Sequence, residues 1–130
     1  MGRIDTYKGR YGTSYIYRVQ NLYDLKSASV WVANLENIPS INVEKIKLTD
    51  YTYRMEEGNH SQIIPTNSSF EEIYQKSKEY VDFIDVTADY AGKNIDLSID
   101  ISDFSIGVTL KNEDVGIIGE IEKILKLCED

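Results

Sequence analysis

Apolar and polar residues alternate along three consecutive stretches in the second half of the chain, at 84–90, 95–101 and 104–110. A period of two sends successive side chains to opposite faces of a β-strand, and turn-type residues separate each stretch from the next. The pattern predicts an antiparallel meander over residues 83–110 with one face in the hydrophobic core. The rest of the predicted fold is built around this meander.

The same alternation predicts how the three strands pair. A four-residue turn at 91–94 sets Ala88 opposite Leu97, and a two-residue turn at 102–103 sets Leu97 opposite Val108. A slip of one residue would turn the apolar side chains to water, so burial determines the register. Ser-Asp is not a preferred two-residue hairpin turn, so the loop at 102–103 is allowed to be longer by a residue or two.

The predicted register gathers carboxylates on the polar side of the meander. We call this surface the acidic face, and its residues are Asp85, Thr87, Asp89, Asp96, Ser98 and Asp100. Asp85 falls opposite Asp100, and Asp89 falls in the same way opposite Asp96. Like charges in directly opposed positions destabilise a sheet by roughly 0.2–1 kcal/mol per pair. We interpret the acidic face either as a solvated surface or as a binding site for something positively charged.

The remaining segments predict further strands and two helices. Strands are expected at 14–20, 27–35 and 41–55, and a short edge segment is expected at 63–64. The strand at 27–35 is suggested by its β-branched residues and by Trp31, which we assign to the core.

A helix is predicted at about 69–81, where a serine is followed three residues later by glutamate. A second helix is predicted at about 115–127, where isoleucines recur at helical spacing. The predicted class is α+β, with one or two antiparallel sheets, two helices and the element order βββα-βββα.

Length and composition favour a single domain over residues 1–130 with an ordinary hydrophobic core, since 42% of the residues are hydrophobic. Residues 1–13 are rich in glycine, and we expect an irregular or mobile N-terminal arm. No run of about 20 apolar residues suits a membrane span. The single Cys128 excludes an internal disulfide, and no secretory signal is recognisable. We therefore expect a cytoplasmic protein.

Charge is unevenly distributed along the chain. The net charge is −8, but residues 1–20 carry four basic residues against one acidic residue, a local charge of +3. Tyrosines accompany these basic residues, a mixture that in other proteins marks single-strand nucleic-acid binding. The acidic balance of the whole chain argues against direct nucleic-acid binding, because phosphates must be met by Lys and Arg.

Motifs of known chemistry are not evident in the sequence. It has no phosphate loop, no serine-nucleophile elbow and no Cys/His cluster, and its one His60 lies in a turn-like segment. Asp96-x-Ser98-x-Asp100 imitates a calcium loop but lacks the required glycine and glutamate. A divalent ion on the four aspartates is conceivable, although a flat face is a poor cage. We predict no catalysis, no cofactor and no metal.

These observations lead to one principal functional hypothesis and two alternatives. The principal hypothesis is a small acidic, non-catalytic protein that engages a basic protein partner through the acidic face, as immunity proteins, inhibitors and DNA mimics do. The alternatives are a small-molecule sensor with a tyrosine-lined pocket between sheet and helices, and an assembly subunit that uses the tyrosine-rich N-terminal arm. The sequence leaves the oligomeric state open.

Overall fold

The computed structural model describes residues 2–20, 22, 24–36, 46–54, 61–64 and 82–129. These residues form one seven-stranded antiparallel sheet and two α-helices, which confirms the predicted α+β class. The strands are β1 Gly2–Lys8, β2 Gly12–Arg18, β3 Lys47–Arg54, β4 Ser61–Ile64, β5 Phe83–Tyr90, β6 Lys93–Asp100 and β7 Ser105–Lys111. The helices are α1 Leu25–Glu36 and α2 Ile118–Glu129, and a 3₁₀ turn, Asn112–Ile117, precedes α2.

The strands lie in the order β1-β2-β7-β6-β5-β3-β4, so the meander β5-β6-β7 occupies the middle of the sheet. Its apolar residues are buried in one cluster with the apolar faces of α1 and α2. We call this helix-covered side the inner face, and the opposite side the outer face. No described helix packs on the outer face. The predicted meander over 83–110 and the predicted C-terminal helix are both confirmed.

Pairing between β6 and β7 follows the predicted register. Leu97 pairs with Val108 and Ile99 pairs with Ile106, and all four side chains are buried on the inner face. The loop between β6 and β7 spans residues 101–104 and is two residues longer than the turn at 102–103. A longer loop was expected as an option, because Ser-Asp is not a preferred two-residue turn.

Pairing between β5 and β6 differs from the prediction by two residues. Ala88 pairs with Ile95 instead of Leu97, because the turn contains only Ala91 and Gly92. The shift is an even number of residues, so every side chain keeps its predicted face. Both turn residues have positive φ, at 52° and 80°, as a type I′ hairpin turn requires.

Ala91 is a poor residue for its place in this turn, and we expect Ala91→Asn to stabilise the protein. The left-handed conformation costs a non-glycine residue such as alanine roughly 1–2 kcal/mol, a cost that asparagine largely avoids. Urea denaturation should show a gain of about 1 kcal/mol, because Asn-Gly is a preferred type I′ pair. Ala91→Val is the opposite control and should destabilise by about 1 kcal/mol or more. Equal stability of the two variants would contradict the turn assignment.

The segment predicted as a strand at 27–35 is instead part of α1, and that prediction was wrong. Asp24 and Ser27 form a capping pair in which the Ser27 N–H donates to Asp24 Oδ1 at 2.7 Å and the Asp24 N–H donates to Ser27 Oγ at 3.0 Å. The buried residues of α1 include Ala28, Trp31, Val32 and Leu35, a spacing of three, four and seven residues. This helical period outweighs the β-propensity of the individual residues.

The start of the chain is also more ordered than predicted. Residues 2–8 form the edge strand β1, which pairs with β2 through a register shift between Arg3 and Asp5. All seven residues of β1 are exposed. A bulge of this kind makes an exposed strand edge less able to pair with another chain.

The basic N-terminal arm does not lie on the acidic face, because β2 and β7 separate β1 from β6. Arg3 instead reaches α2, where its guanidinium lies 3.4 Å from Glu122 Oε1 and over the ring of Tyr15. The buried Tyr17 hydroxyl donates to the same Glu122 oxygen at 2.9 Å. Burial and this bond to a carboxylate raise the pKa of Tyr17 above its usual range. Through Glu122, these contacts connect β1 and β2, at the edge of the sheet, to α2.

The other predicted elements have mixed outcomes. The strand predicted at 14–20 is β2, the strand predicted at 41–55 contains β3, and the edge segment at 63–64 is part of β4 at the end of the sheet. The helix predicted at 69–81 lies outside the described residues. The observed order over the described part is therefore ββαββ followed by βββα. Neither α1 nor α2 has the length and hydropathy needed to cross a bilayer.

Candidate functional site

All six residues of the acidic face lie on the outer face of the sheet, on the adjacent strands β5 and β6. Their neighbours along each strand are buried in the core, which holds the backbone and directs the alternate side chains outward. Of the six side chains, Asp96 is exposed and the other five are half-buried. The structure thus brings together every residue that the sequence assigned to this surface.

The aspartates are not directly opposed, and that part of the prediction was wrong. Asp85 pairs with Ser98, Thr87 pairs with Asp96, and Asp89 pairs with Asn94. Asp96 is consequently a diagonal neighbour of both Asp85 and Asp89, at the wider spacing of about 7–8 Å typical of such positions. The two-residue turn relieves the expected repulsion while keeping the carboxylates on one surface.

Two of the four aspartates have roles in local structure. Asp85 accepts a hydrogen bond from the Ser98 hydroxyl at 2.8 Å. Asp100 Oδ1 accepts from the Ser102 hydroxyl at 2.7 Å and from the Asp103 N–H at 3.1 Å, which closes the β6–β7 loop. Substitution of either aspartate would therefore disturb the sheet as well as its charge.

Asp89 and Asp96 are the aspartates that remain available for a partner. Among the described residues, none donates a hydrogen bond to either carboxylate or forms an ion pair with it. Lys47 pairs with Asp89 in the register of β3 and β5, so one positive charge lies at this border of the acidic face. The negative charge is therefore concentrated towards β6.

Outside the acidic face, the outer face carries both basic and small neutral residues. Lys47 is in register with Asp89, and Lys111 lies two residues beyond Thr109, the partner of Asp96. On β2 and β7 the outer face presents small groups, including Gly107 and the hydroxyls of Ser14 and Thr109, which lie 2.9 Å apart. A Cβ at Gly107 would lie 3.2 Å from Ile16 Cδ1, so glycine leaves room for the Ile16 side chain to lie across β7. A flat, small-residue surface next to carboxylates allows a partner's side chains to approach the sheet.

Of the ion pairs in the described part of the chain, one borders the acidic face, because the N–H of its Asp103 donates to Asp100 Oδ1, and the others lie elsewhere. Arg18 lies 3.9 Å from Asp103, and Lys93 pairs with the buried Asp114 at the start of the 3₁₀ turn. Arg3 pairs with Glu122 on the inner side, as described above. None of these ion pairs includes Asp89 or Asp96, and the register places Lys47 beside Asp89.

In the described parts of the chain, potential metal ligands are not clustered and Cys128 is buried. No group of three or more His, Cys, Asp or Glu residues there has the geometry to hold a metal ion. Cys128 is buried, and burial raises the pKa of its thiol to about 12, so the nucleophilic thiolate is rare at neutral pH. His60, the other residue that a Cys-His catalytic pair would need, lies outside the described residues.

One feature of potential function was missed by the sequence interpretation. A cavity of about 410 Å³ borders α1 and α2, and Trp31 forms part of its wall. Trp31 is buried, as predicted, but the sequence assigned it to a strand and to the core alone. The helical spacing of the α1 residues was the signal that could have placed one side of this segment against a second helix. Tyrosine is not among the described residues that line this cavity, and the tyrosine-lined pocket expected between sheet and helices stays a prediction.

Comparison with known proteins gives no further guide to function. No protein-family model matches the sequence, and searches of curated proteins and of solved structures also found no match. A functional argument therefore depends on the surface chemistry of this chain.

Proposed function

We propose that this protein is a small acidic, non-catalytic binding protein that engages a basic protein partner through the acidic face. The observation that supports the proposal most directly is the pair Asp89 and Asp96, two carboxylates without partners among the described residues on a surface that no described helix covers. The net charge of −8 adds a long-range attraction for a basic partner. An inhibitor of a basic enzyme or a mimic of nucleic acid is the class of protein that uses such a surface.

The rigidity of the acidic face favours this role. Its residues alternate with side chains that are almost completely buried, so the backbone under the carboxylates is held by the core. A partner that binds there does not need to order a flexible loop, and an interface that is organised before binding loses less entropy on association. The carboxylates of Asp89 and Asp96 could pair with Lys or Arg side chains of the partner, and Arg could form two parallel hydrogen bonds to one carboxylate.

The proposal predicts that Asp89→Lys combined with Asp96→Lys will abolish capture of a basic partner in a pull-down from the native host. Removing two carboxylates and adding two ammonium groups changes the local charge by four units and places like charges against the partner. Loss of affinity should be at least about a hundredfold, since juxtaposed like charges cost several kcal/mol. These two positions are preferable to Asp85 and Asp100, whose hydrogen bonds maintain the sheet.

A matched control is Glu113→Lys combined with Glu120→Lys, which makes the same change in net charge. Both glutamates are exposed and lie in the segment from the 3₁₀ turn to α2, away from the outer face. The control should retain the partner that the acidic-face variant loses, and the thermal stability of both variants should be measured. If both double variants lose the partner equally, net charge alone explains the effect. If both retain the partner equally, the acidic face is not the binding surface.

A further inference from the structure

The turn between β1 and β2 presents an aromatic ring and a cation to solvent. We call residues 8–12 the hairpin tip, and their sequence is Lys-Gly-Arg-Tyr-Gly. Tyr11 is 77% exposed, more than any other large hydrophobic residue of the described chain, and Arg10 Cζ lies 5.3 Å from the centre of its ring. Tyrosine and arginine are enriched among the residues that dominate the binding energy of protein interfaces. The hairpin tip therefore has the composition of a contact surface.

Hydrogen bonds from the 3₁₀ turn hold the hairpin tip in one conformation. Asn112 Nδ2 donates to the carbonyl oxygens of Arg10 at 2.8 Å and of Gly9 at 3.3 Å. The Oδ1 atom of the same asparagine accepts the Thr13 hydroxyl at 3.0 Å. Within the tip, the Gly9 N–H donates to the Gly12 carbonyl at 2.7 Å. A loop that is ordered before binding loses less entropy on association.

The surroundings of the hairpin tip carry an excess of positive charge. Lys8 and Arg10 are exposed, and the exposed Lys111 is in register with Gly12 at the base of the tip. Among the described residues, no carboxylate forms an ion pair with any of these three cations. The adjacent 3₁₀ turn adds the exposed Glu113, a single negative charge against three positive ones. The tip is therefore suited to a negatively charged surface.

The hairpin tip does not contact the acidic face of its own chain. Within the sheet β7 lies between β2 and β6, and none of the observed ion pairs joins the tip to Asp89 or Asp96. Three strand spacings separate β2 from β5, about 14 Å at the usual distance between neighbouring strands. Because Asn112 holds the tip at its own edge of the sheet, the tip can meet these carboxylates only on a second molecule.

We propose that the hairpin tip of one copy binds the acidic face of a second copy. Lys8 and Arg10 then lie against Asp89 and Asp96, and the Tyr11 ring lies on the small residues of the outer face. Complementary charges orient this contact, whereas the net charge of −8 on each copy opposes it, so the association is weak. The inference rests on the acidic face being a binding surface, as in the proposed function, and names this chain as one of its basic partners. Because the tip and the face are different surfaces, the contact can continue into rings or chains.

Sedimentation equilibrium of the purified protein tests the contact by exchanging its charges. The average mass of the wild type should rise above that of the monomer as the concentration approaches about 1 mM, where weak contacts become populated. The acidic-face variant, Asp89→Lys with Asp96→Lys, and the tip variant, Lys8→Glu with Arg10→Glu, should each remain monomeric, because the tip and the face then carry charge of the same sign. An equimolar mixture of the two should associate again, since each variant offers the charge that the other lacks. Restored association would also exclude misfolding as the cause of the loss.

A matched control separates the hairpin tip from net charge. Lys123→Glu with Lys126→Glu makes the same change in net charge at two exposed positions of α2, and it should retain the association that the tip variant loses. The proposal is overturned if the wild type is monomeric throughout, if the tip variant and this control behave alike, or if the mixture associates no more than its components. Binding of a fluorescent oligothymidylate by the wild type and not by the tip variant, without self-association, would assign the tip to nucleic acid and would also overturn the proposal.

The outcome is separable from the test of the proposed function. A monomeric wild type, together with loss of the host partner by the acidic-face variant, would overturn this inference alone. Self-association with the expected charge dependence, together with retention of the host partner by that variant, would overturn the proposed function alone.

Discussion

Replacing Leu97 with alanine is expected to lower the free energy of unfolding by about 3–5 kcal/mol, the range found for fully buried leucines. Leu97 is 1% exposed and lies at the centre of β6, where it pairs with Val86 on one side and Val108 on the other. Truncation would leave a cavity beneath the middle of the sheet, which neighbouring strands cannot close without disturbing their hydrogen-bond ladders. Urea denaturation followed by circular dichroism would measure the change.

The adjacent residue provides the control. Asp96→Ala changes a side chain on the outer face of the same strand, where it is exposed. Its effect on stability should remain within about 0.5 kcal/mol, as for most surface substitutions. A similar loss of stability for Leu97→Ala and Asp96→Ala would contradict the division of this strand into a core side and a surface side, and with it the position of the acidic face.

The second large effect concerns the Cys128 thiol, which should react with iodoacetamide about a thousandfold more slowly at pH 8 in the folded protein than in denaturant. Burial raises the pKa of this thiol to about 12, whereas an exposed cysteine titrates near 8.5. Since the thiolate is the reacting form, its small population limits the rate. The chain has no second cysteine, so mass spectrometry reports on this site alone.

The pH dependence of this reaction distinguishes a raised pKa from simple shielding. In the folded protein the rate should rise by about tenfold per pH unit from pH 8 to 10, because the thiolate fraction grows throughout that range. In denaturant the rate should level off above about pH 9, where the exposed thiol is already ionised. A folded-state rate that also levels off near pH 9 would show a thiol with an ordinary pKa and would contradict its burial between α1 and α2.

Local pattern was sufficient to predict the meander. The alternation of Ile84, Val86 and Ala88 with polar residues has one physical solution in a half-buried sheet, because a strand exposes every second side chain. The same reasoning assigned all of the acidic face to one surface. It also predicted the start of β5 at residue 83 and the apolar stripe of α2, since both depend on residues close together in sequence.

Local pattern failed where two periods compete. Residues 27–35 combine β-branched side chains, which favour a strand, with apolar residues at helical spacing. The cap formed by Asp24 and Ser27 stabilises the start of a helix and so favours the helical conformation. The apolar stripe of α1 then has a place to pack, because the inner face of the sheet and α2 already expose apolar surface to it. Propensity alone could not weigh these contributions.

The sequence by itself determined which residues of the meander face the core and which face outward, because that division follows from the period of two. Only the tertiary structure decided how far apart the outward carboxylates lie, since the two-residue turn at Ala91 and Gly92 sets the register of β5 against β6. It also decided that Trp31 borders a cavity, because the walls come from helices at distant places in the chain. Side-chain direction is a local property, whereas distances between strands and helices depend on how the whole chain packs.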